Sequence, residues 1–79
     1  MNKQRRERLD EAHSKLIEAY YIIEEVKDEE EQAFDNMPEN LQGSERGEQM
    51  EEYIATLEEI YDGIDSYMSD LYDIIYEKV

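Results

Sequence analysis

The first residues that could carry out chemistry are a carboxylate and a histidine near the start of the chain. Asp10 and His13 stand three positions apart, the spacing with which helical bundles present such side chains to a pair of metal ions. Those sites also need inward-facing glutamates from neighbouring helices. The predicted apolar face of residues 50–75 supplies no carboxylate and no histidine. We therefore interpret His13 as a solvated or partly packed side chain and expect no metal site.

The other catalytic motifs are incomplete. Asp62 and Asp65 lack the glycine and the terminal glutamate of a calcium-binding loop. The chain has no cysteine, so neither a thiol nucleophile nor a disulfide is available. No serine can be matched with a base, and there is no phosphate-binding loop. Tyr53, Tyr61 and Tyr67 belong to the predicted core face, where packing is the usual role of tyrosine. We expect no enzyme, no catalytic residue and no cofactor.

The net charge restricts the partners. The 79 residues include 23 acidic and 8 basic side chains, for a net charge of -15. Such a field repels phosphates, which excludes direct binding to nucleic acid. The longest apolar run, residues 19–23, is far too short to span a membrane. We expect no membrane association and a cytoplasmic location.

The negative charge is concentrated in the middle of the chain. Residues 24–52 contain 12 acidic side chains and only two basic ones, Lys27 and Arg46. Carboxylates one helical turn apart lie about 5–6 Å from each other at Cβ and repel, so local stability does not favour this arrangement. Two interpretations remain open: a solvated face that keeps the chain soluble, and an acidic end that attracts a basic partner protein.

The second interpretation assigns the carboxylates a partner-binding role. Their spacing along a helix is similar to that of nucleic-acid phosphates, so the surface is expected to resemble DNA to a basic protein. The residues predicted for this acidic surface are Glu24, Glu25, Asp28, Glu29, Glu31, Glu48, Glu51, Glu52 and Glu59.

Two heptad patterns predict the elements that position these side chains. Leu9, Leu16 and Ile23 recur every seven residues in the first half, and residues 50, 57, 64 and 71 do so in the second. We predict an all-α fold, an antiparallel helical hairpin in a single domain over residues 1–79. Helix one covers about 2–34, the elbow 35–43 and helix two about 44–78.

Single residues are expected to shape the elbow and the second helix. Ser44 is the predicted N-cap of helix two. Gly43 is expected in a left-handed conformation that ends a short helical turn begun by Pro38. Gly63, inside helix two, is expected to mark a close helix contact, and Glu30 places a carboxylate in the apolar seam of helix one.

The apolar residues exceed what a two-helix core can bury. Leu57, Ile60, Ile64 and Leu71 are expected to form the core with residues 16, 19 and 23 of helix one. Short chains without disulfides or metals usually need oligomerisation to build enough core. We therefore predict a homodimeric four-helix bundle. The alternative is that the surplus apolar surface docks on a different protein. The residues assigned to this surface are Ile17, Tyr21, Ile22, Tyr72 and Tyr76.

The elbow carries a recognisable motif. Residues 34–46 read Phe-Asp-Asn-Met-Pro-Glu-Asn-Leu-Gln-Gly-Ser-Glu-Arg. This segment resembles the central motif of short acidic proteins of unknown function that are encoded largely in phages and other bacterial mobile elements. The resemblance implies a helical hairpin and a phage-like origin, and it implies no established activity.

Two functions follow as hypotheses. The first is a small acidic binding module that inhibits a basic, nucleic-acid-handling host protein through a DNA-mimic-like surface. The second is a structural or assembly protein, a homodimeric bundle whose charge only keeps it soluble.

Overall fold

The chain folds almost entirely into helices. The computed structural model describes residues 1–76, and within them there are three helices and no strand: α1 (Lys3–Asp35), α2 (Glu39–Gln42) and α3 (Glu45–Ile75). The predicted all-α class is confirmed. The last three predicted positions of helix two, residues 76–78, extend past α3, and residues 77–79 lie outside the described part of the chain.

Side-chain caps fix where the two long helices begin. The Asn2 side chain accepts a hydrogen bond from the Arg5 amide at 2.8 Å, and Ser44 Oγ accepts one from the Gly47 amide at 3.3 Å. Each cap satisfies an amide that the first turn of a helix leaves without a partner. The prediction of Ser44 as the N-cap of α3 is confirmed.

A glutamine side chain holds the elbow against the end of α1. The Gln42 Nε2 group donates to the backbone carbonyls of Phe34 at 3.1 Å and Met37 at 3.3 Å. The last carbonyls of a helix have no partner within it, so this amide stabilises the end of α1 and fixes the direction in which α2 leaves.

The glycines have different roles from those expected. Gly43 has φ −84° and ψ 2°, and no described glycine has a positive φ, so the prediction of a left-handed Gly43 is wrong. The expected close contact at Gly63 is also absent from the chain itself, because an added Cβ would meet nothing within 4 Å. The tight position is Gly47. A Cβ there would lie 2.6 Å from the Gln42 carbonyl carbon and 2.8 Å from the Leu41 oxygen, so only glycine lets α3 start directly on the backbone of α2.

The two long helices contact each other at several points. The His13 ring contacts the Tyr72 ring with 6.2 Å between centroids, and the Tyr20 and Tyr61 rings stack at 4.1 Å. Near the elbow, the Phe34 carbonyl is bound by Gln42. The start of α1 therefore lies next to the end of α3, and the described residues form a rod measuring 58 × 16 × 15 Å.

The core is thin and lies along one strip of each helix. Among residues 1–76, only three apolar side chains are buried: Met50, Met68 and Ile75, with 7–9% of their surface exposed. They occupy heptad positions a and e. Position a of the heptad is otherwise half-buried, as at Leu57, Ile64 and Leu71, so these members of the predicted core do face α1.

Position d of α3 does not face α1, which corrects the predicted core. Its residues are exposed: Tyr53 by 52%, Ile60 by 43%, Tyr67 by 71% and Ile74 by 46%. Successive residues are 100° apart around a helix, so positions a and e are 40° apart and d lies a further 60° away. One neighbouring helix covers a and e and leaves d in solvent, so placing Ile60, Tyr53 and Tyr67 in the core was wrong for the single chain. Tyr61, at position e, is half-buried against α1.

Candidate functional site

The acidic end of the rod is built from the last turns of α1 and the first turns of α3. We use this name for residues 24–52, whose 12 carboxylates surround the elbow. Most predicted partner-binding carboxylates are exposed to solvent, and the exceptions are half-buried Glu24 and Glu31. The exposed ones are Glu25, Asp28, Glu29, Glu48, Glu51, Glu52 and Glu59.

Glu24 makes an interhelical contact. Its Oε2 accepts a hydrogen bond from the Tyr61 hydroxyl, and Tyr20 stacks on the Tyr61 ring with 16° between planes. The hydrogen bond to Glu24 is the main cause that raises the pKa of Tyr61, and the neighbouring Tyr20 hydroxyl and partial burial act in the same direction. Glu24 therefore stabilises the contact between α1 and α3, and its carboxylate is less available to a partner than its neighbours.

Lys27 neutralises part of the acidic end. Its Nζ lies 3.4 Å from Glu31 and 3.7 Å from Asp28, and only 16% of its side chain is exposed. Partial burial by itself lowers the pKa of Lys27, but the nearby carboxylates of Glu31, Asp28 and Glu58 together raise it. The lysine stays charged, and it offsets one of the carboxylates on this side of α1.

A groove lined by apolar side chains and carboxylates lies beside the elbow. Its lining consists of Phe34, Ile54 and Ala55 and of the carboxylates of Glu31, Asp35, Glu51 and Glu58, of which Glu31 is paired with Lys27. A groove of this composition suits the side chain of lysine or arginine, which combines an apolar stem with a charged end. The sequence analysis did not include Asp35 and Glu58 in the acidic surface. The signal was available, because Glu51 and Glu58 are seven residues apart and so share one face of α3.

A second depression runs along the start of α3. Its lining consists of the exposed Glu45, Arg46, Glu48, Gln49 and Glu52. The first turn of a helix also presents partly positive amides, so this depression is less negative than the groove on the other side of the elbow. The groove lined by Phe34 is therefore the stronger candidate for a basic side chain.

The predicted apolar surface is divided between two sides of the rod. Tyr72 and Tyr76 contact each other at 4.6 Å between centroids, and the Tyr76 hydroxyl donates to Asp10 at 3.3 Å. Ile17 and Tyr21 are exposed on the same flank. Ile22 follows Ile17 by five residues and so lies 140° further around α1, on the opposite flank. The five residues therefore do not form one continuous patch.

A second exposed apolar surface, outside the one predicted from the sequence, lies along α3. We name it the d stripe: Tyr53, Ile60, Tyr67 and Ile74, all exposed along one side of α3. The neighbouring side chain on α1 is Val26, which lines a shallow groove together with Tyr53 and Leu57. The heptad spacing of these four residues was visible in the sequence, and it led to their being predicted as core residues. Spacing alone cannot show how wide a strip of α3 the other helix covers.

The candidate metal residues remain apart from other ligands. His13 packs obliquely against the Tyr72 ring, with 50° between the planes, and no group of three metal-binding side chains occurs among residues 1–76. In the same part of the chain, no helix is both long and apolar enough to cross a membrane.

The comparisons with known proteins give no relative. No family model, no curated protein and no solved structure matches the chain.

Proposed function

We propose that this protein is a small acidic binding module, of the kind encoded by phages and mobile elements, that captures a basic nucleic-acid-handling protein in the host cytoplasm. In this proposal the chain is an antiparallel helical hairpin, and the acidic end presents the binding surface. The observation that carries the proposal is the groove that Glu31, Asp35, Glu51 and Glu58 line together with the apolar Phe34 and Ile54.

The charge distribution supports a protein partner. Carboxylates crowd the end of α1, which the helix dipole makes unfavourable for negative charge, and their mutual repulsion costs further stability. Of the two basic residues at this end, Lys27 is paired within α1. The remaining field attracts positively charged proteins and accelerates their association. Exposed carboxylates one turn apart offer such a protein a substitute for the phosphates of DNA.

The experiment measures capture from a bacterial lysate by the immobilised chain. Proteins retained at about 0.1 M salt are identified by mass spectrometry, and retention is measured again at about 1 M, where the screening length falls from about 10 Å to about 3 Å. We expect the chain to retain basic nucleic-acid-binding proteins, and we expect high salt or added double-stranded DNA to release them.

Two variants that lose the same number of charges distinguish an effect of the acidic end from an effect of the chain's net charge. One variant carries glutamine at positions 48, 51, 52 and 59 of α3. The control carries glutamine at positions 7, 11 and 18 and asparagine at position 65, which removes the same number of charges away from the elbow. Loss of capture in the first variant alone supports the acidic end as the site. Equal capture by both variants, or partners indifferent to salt and DNA, would exclude the charge-driven inhibitor.

The second candidate is a structural or assembly role as a homodimeric four-helix bundle. The observation that favours it is the amount of exposed apolar side chain, which includes Ile17, Tyr21, Ile22, Tyr72, Tyr76 and the d stripe. In a single copy, the only buried apolar side chains among residues 1–76 are Met50, Met68 and Ile75, so the exposed apolar side chains are available to a second copy.

A further inference from the structure

The d stripe is long and straight enough to form a helix–helix seam. Its four residues recur every seven positions from Tyr53 to Ile74, a distance of about 32 Å at 1.5 Å per residue. All four are exposed, between 43% and 71%. Because they lie about 80° from the centre of the strip that contacts α1, a second neighbour can pack against them without disturbing that contact.

The side of α3 that carries the stripe has very little charge. On the edge away from α1, the positions next to the stripe are Gln49, Thr56, Gly63 and Asp70, so these eight residues include one carboxylate. Two further carboxylates, Glu30 and Glu52, line the groove beside Tyr53 at one end of the stripe. The whole chain has 23 acidic residues in 79. A face from which charge is this depleted suits an apolar contact.

No described neighbour in the same chain requires a glycine at position 63. Gly63 lies in the interior of α3, its φ is not positive, and an added Cβ would meet nothing within 4 Å. Glycine in a helix interior is destabilising relative to alanine. The position lies beside the middle of the stripe, where a missing side chain lets another helix approach closely.

We propose that a second copy of this chain packs on the d stripe, with the two α3 helices antiparallel about a two-fold axis that passes beside Gly63. This order places Tyr53 opposite Ile74 of the second copy, and Ile60 opposite its Tyr67. Every layer of the seam then pairs one tyrosine with one isoleucine, so the layers have equal volume. The inference deepens the homodimer named above as the second candidate and does not depend on capture of a basic protein.

The same axis gives α1 a complementary arrangement. The contacts of His13 with Tyr72 and of Glu24 with Tyr61 show which residues of α1 and α3 lie at the same height along the rod. On this scale, Ile22 lies at the height of Gly63. The axis therefore brings Ile22, which is 60% exposed, against its own copy. Seven residues either side of Ile22, Lys15 comes to lie opposite Glu29 of the second copy, so the seam between the two α1 helices is complementary in charge.

The area is sufficient for a specific dimer. The exposed parts of the stripe, together with Val26 and Ile22, amount to on the order of 600 Å² per chain, taking roughly 150–250 Å² for a whole aromatic side chain. Two copies would bury about 1,200 Å² in total, which is the lower limit for stable, specific interfaces.

Two tyrosine variants test which face is used. Sedimentation equilibrium measures the dimer dissociation constant of the wild type, of Tyr67→Glu on the stripe and of Tyr21→Glu on the opposite flank, which are similarly exposed and change by the same charge. We expect a wild-type dimer, at least a hundredfold weakening in Tyr67→Glu, and a change of less than threefold in Tyr21→Glu. A monomeric wild type would overturn the homodimer itself, whereas the reverse order of the two variants would overturn only the face.

Cysteine cross-linking tests the position of the axis, since the natural chain contains no cysteine. Ile22→Cys is expected to form a disulfide-linked dimer under mild oxidation. Ile17→Cys, the same substitution on the other flank of α1, is expected to stay largely uncrosslinked. Gly63→Ala should weaken the dimer at least tenfold. Equal cross-linking at both positions, or a Gly63→Ala dimer as tight as the wild type, would overturn the two-fold axis beside Gly63.

Discussion

Gly47 offers the sharpest test of how the elbow is built. In Gly47→Ala the new Cβ would lie 2.6 Å from the carbonyl carbon of Gln42 and 2.8 Å from the oxygen of Leu41. Both atoms belong to the backbone of α2, so no flexible side chain can move aside. The start of α3 must shift, which also weakens the cap in which the Gly47 amide donates to Ser44.

The expected magnitude is large for a chain of this size. Overpacking of this kind costs about 1–3 kcal/mol, and the total stability of a 79-residue chain is about 4–12 kcal/mol. Since 1 kcal/mol shifts the melting temperature of such a domain by about 4–8 °C, a loss of about 2 kcal/mol lowers it by about 8–16 °C.

The assay is thermal unfolding followed by far-UV circular dichroism, with Gly43→Ala as the matched control. Gly43 lies four residues earlier in the same elbow, has a negative φ, and has open space where the Cβ would be. Its replacement by alanine should leave the melting temperature unchanged or raise it slightly. If Gly47→Ala has the same melting temperature as the wild type, or if Gly43→Ala lowers the melting temperature as much as Gly47→Ala does, the packing of α3 on α2 is incorrect.

Two further predictions concern the contact between α1 and α3. Tyr61→Phe removes an interhelical hydrogen bond to a carboxylate and should lower the free energy of unfolding by about 1–2 kcal/mol. The control Tyr53→Phe, at a half-exposed position, should change this free energy little. Chemical denaturation measures the free energy of unfolding of both variants. Because the folded chain raises the pKa of Tyr61, the stabilisation by this hydrogen bond is complete below pH about 10 and is lost as the pH rises further. The stability of the phenylalanine variant should therefore fall less at alkaline pH than that of the wild type. Glu30 places a carboxylate in the seam, and hydrogen exchange should therefore show the amides of residues 28–36 opening before those of residues 16–24; equal protection of the two segments would contradict this.

The sequence alone was sufficient for the helices. Heptad spacing of apolar residues sets the period of both long segments, and Ser44 signals the start of the second. These features are local, since they depend on residues within one or two turns of each other, and for that reason they can be read without knowing what packs where.

The tertiary structure decided which residues are covered. Heptad spacing allowed positions a, d and e to be interpreted as one core face, but a single neighbouring helix covers only a and e, and Tyr67 at position d is 71% exposed. The glycines show the same limit. Gly47 is needed because the backbone of Gln42 lies against it, a contact between two helices that no local pattern records. What a side chain touches depends on the width of the surface opposite it, and that is a property of the packed helices.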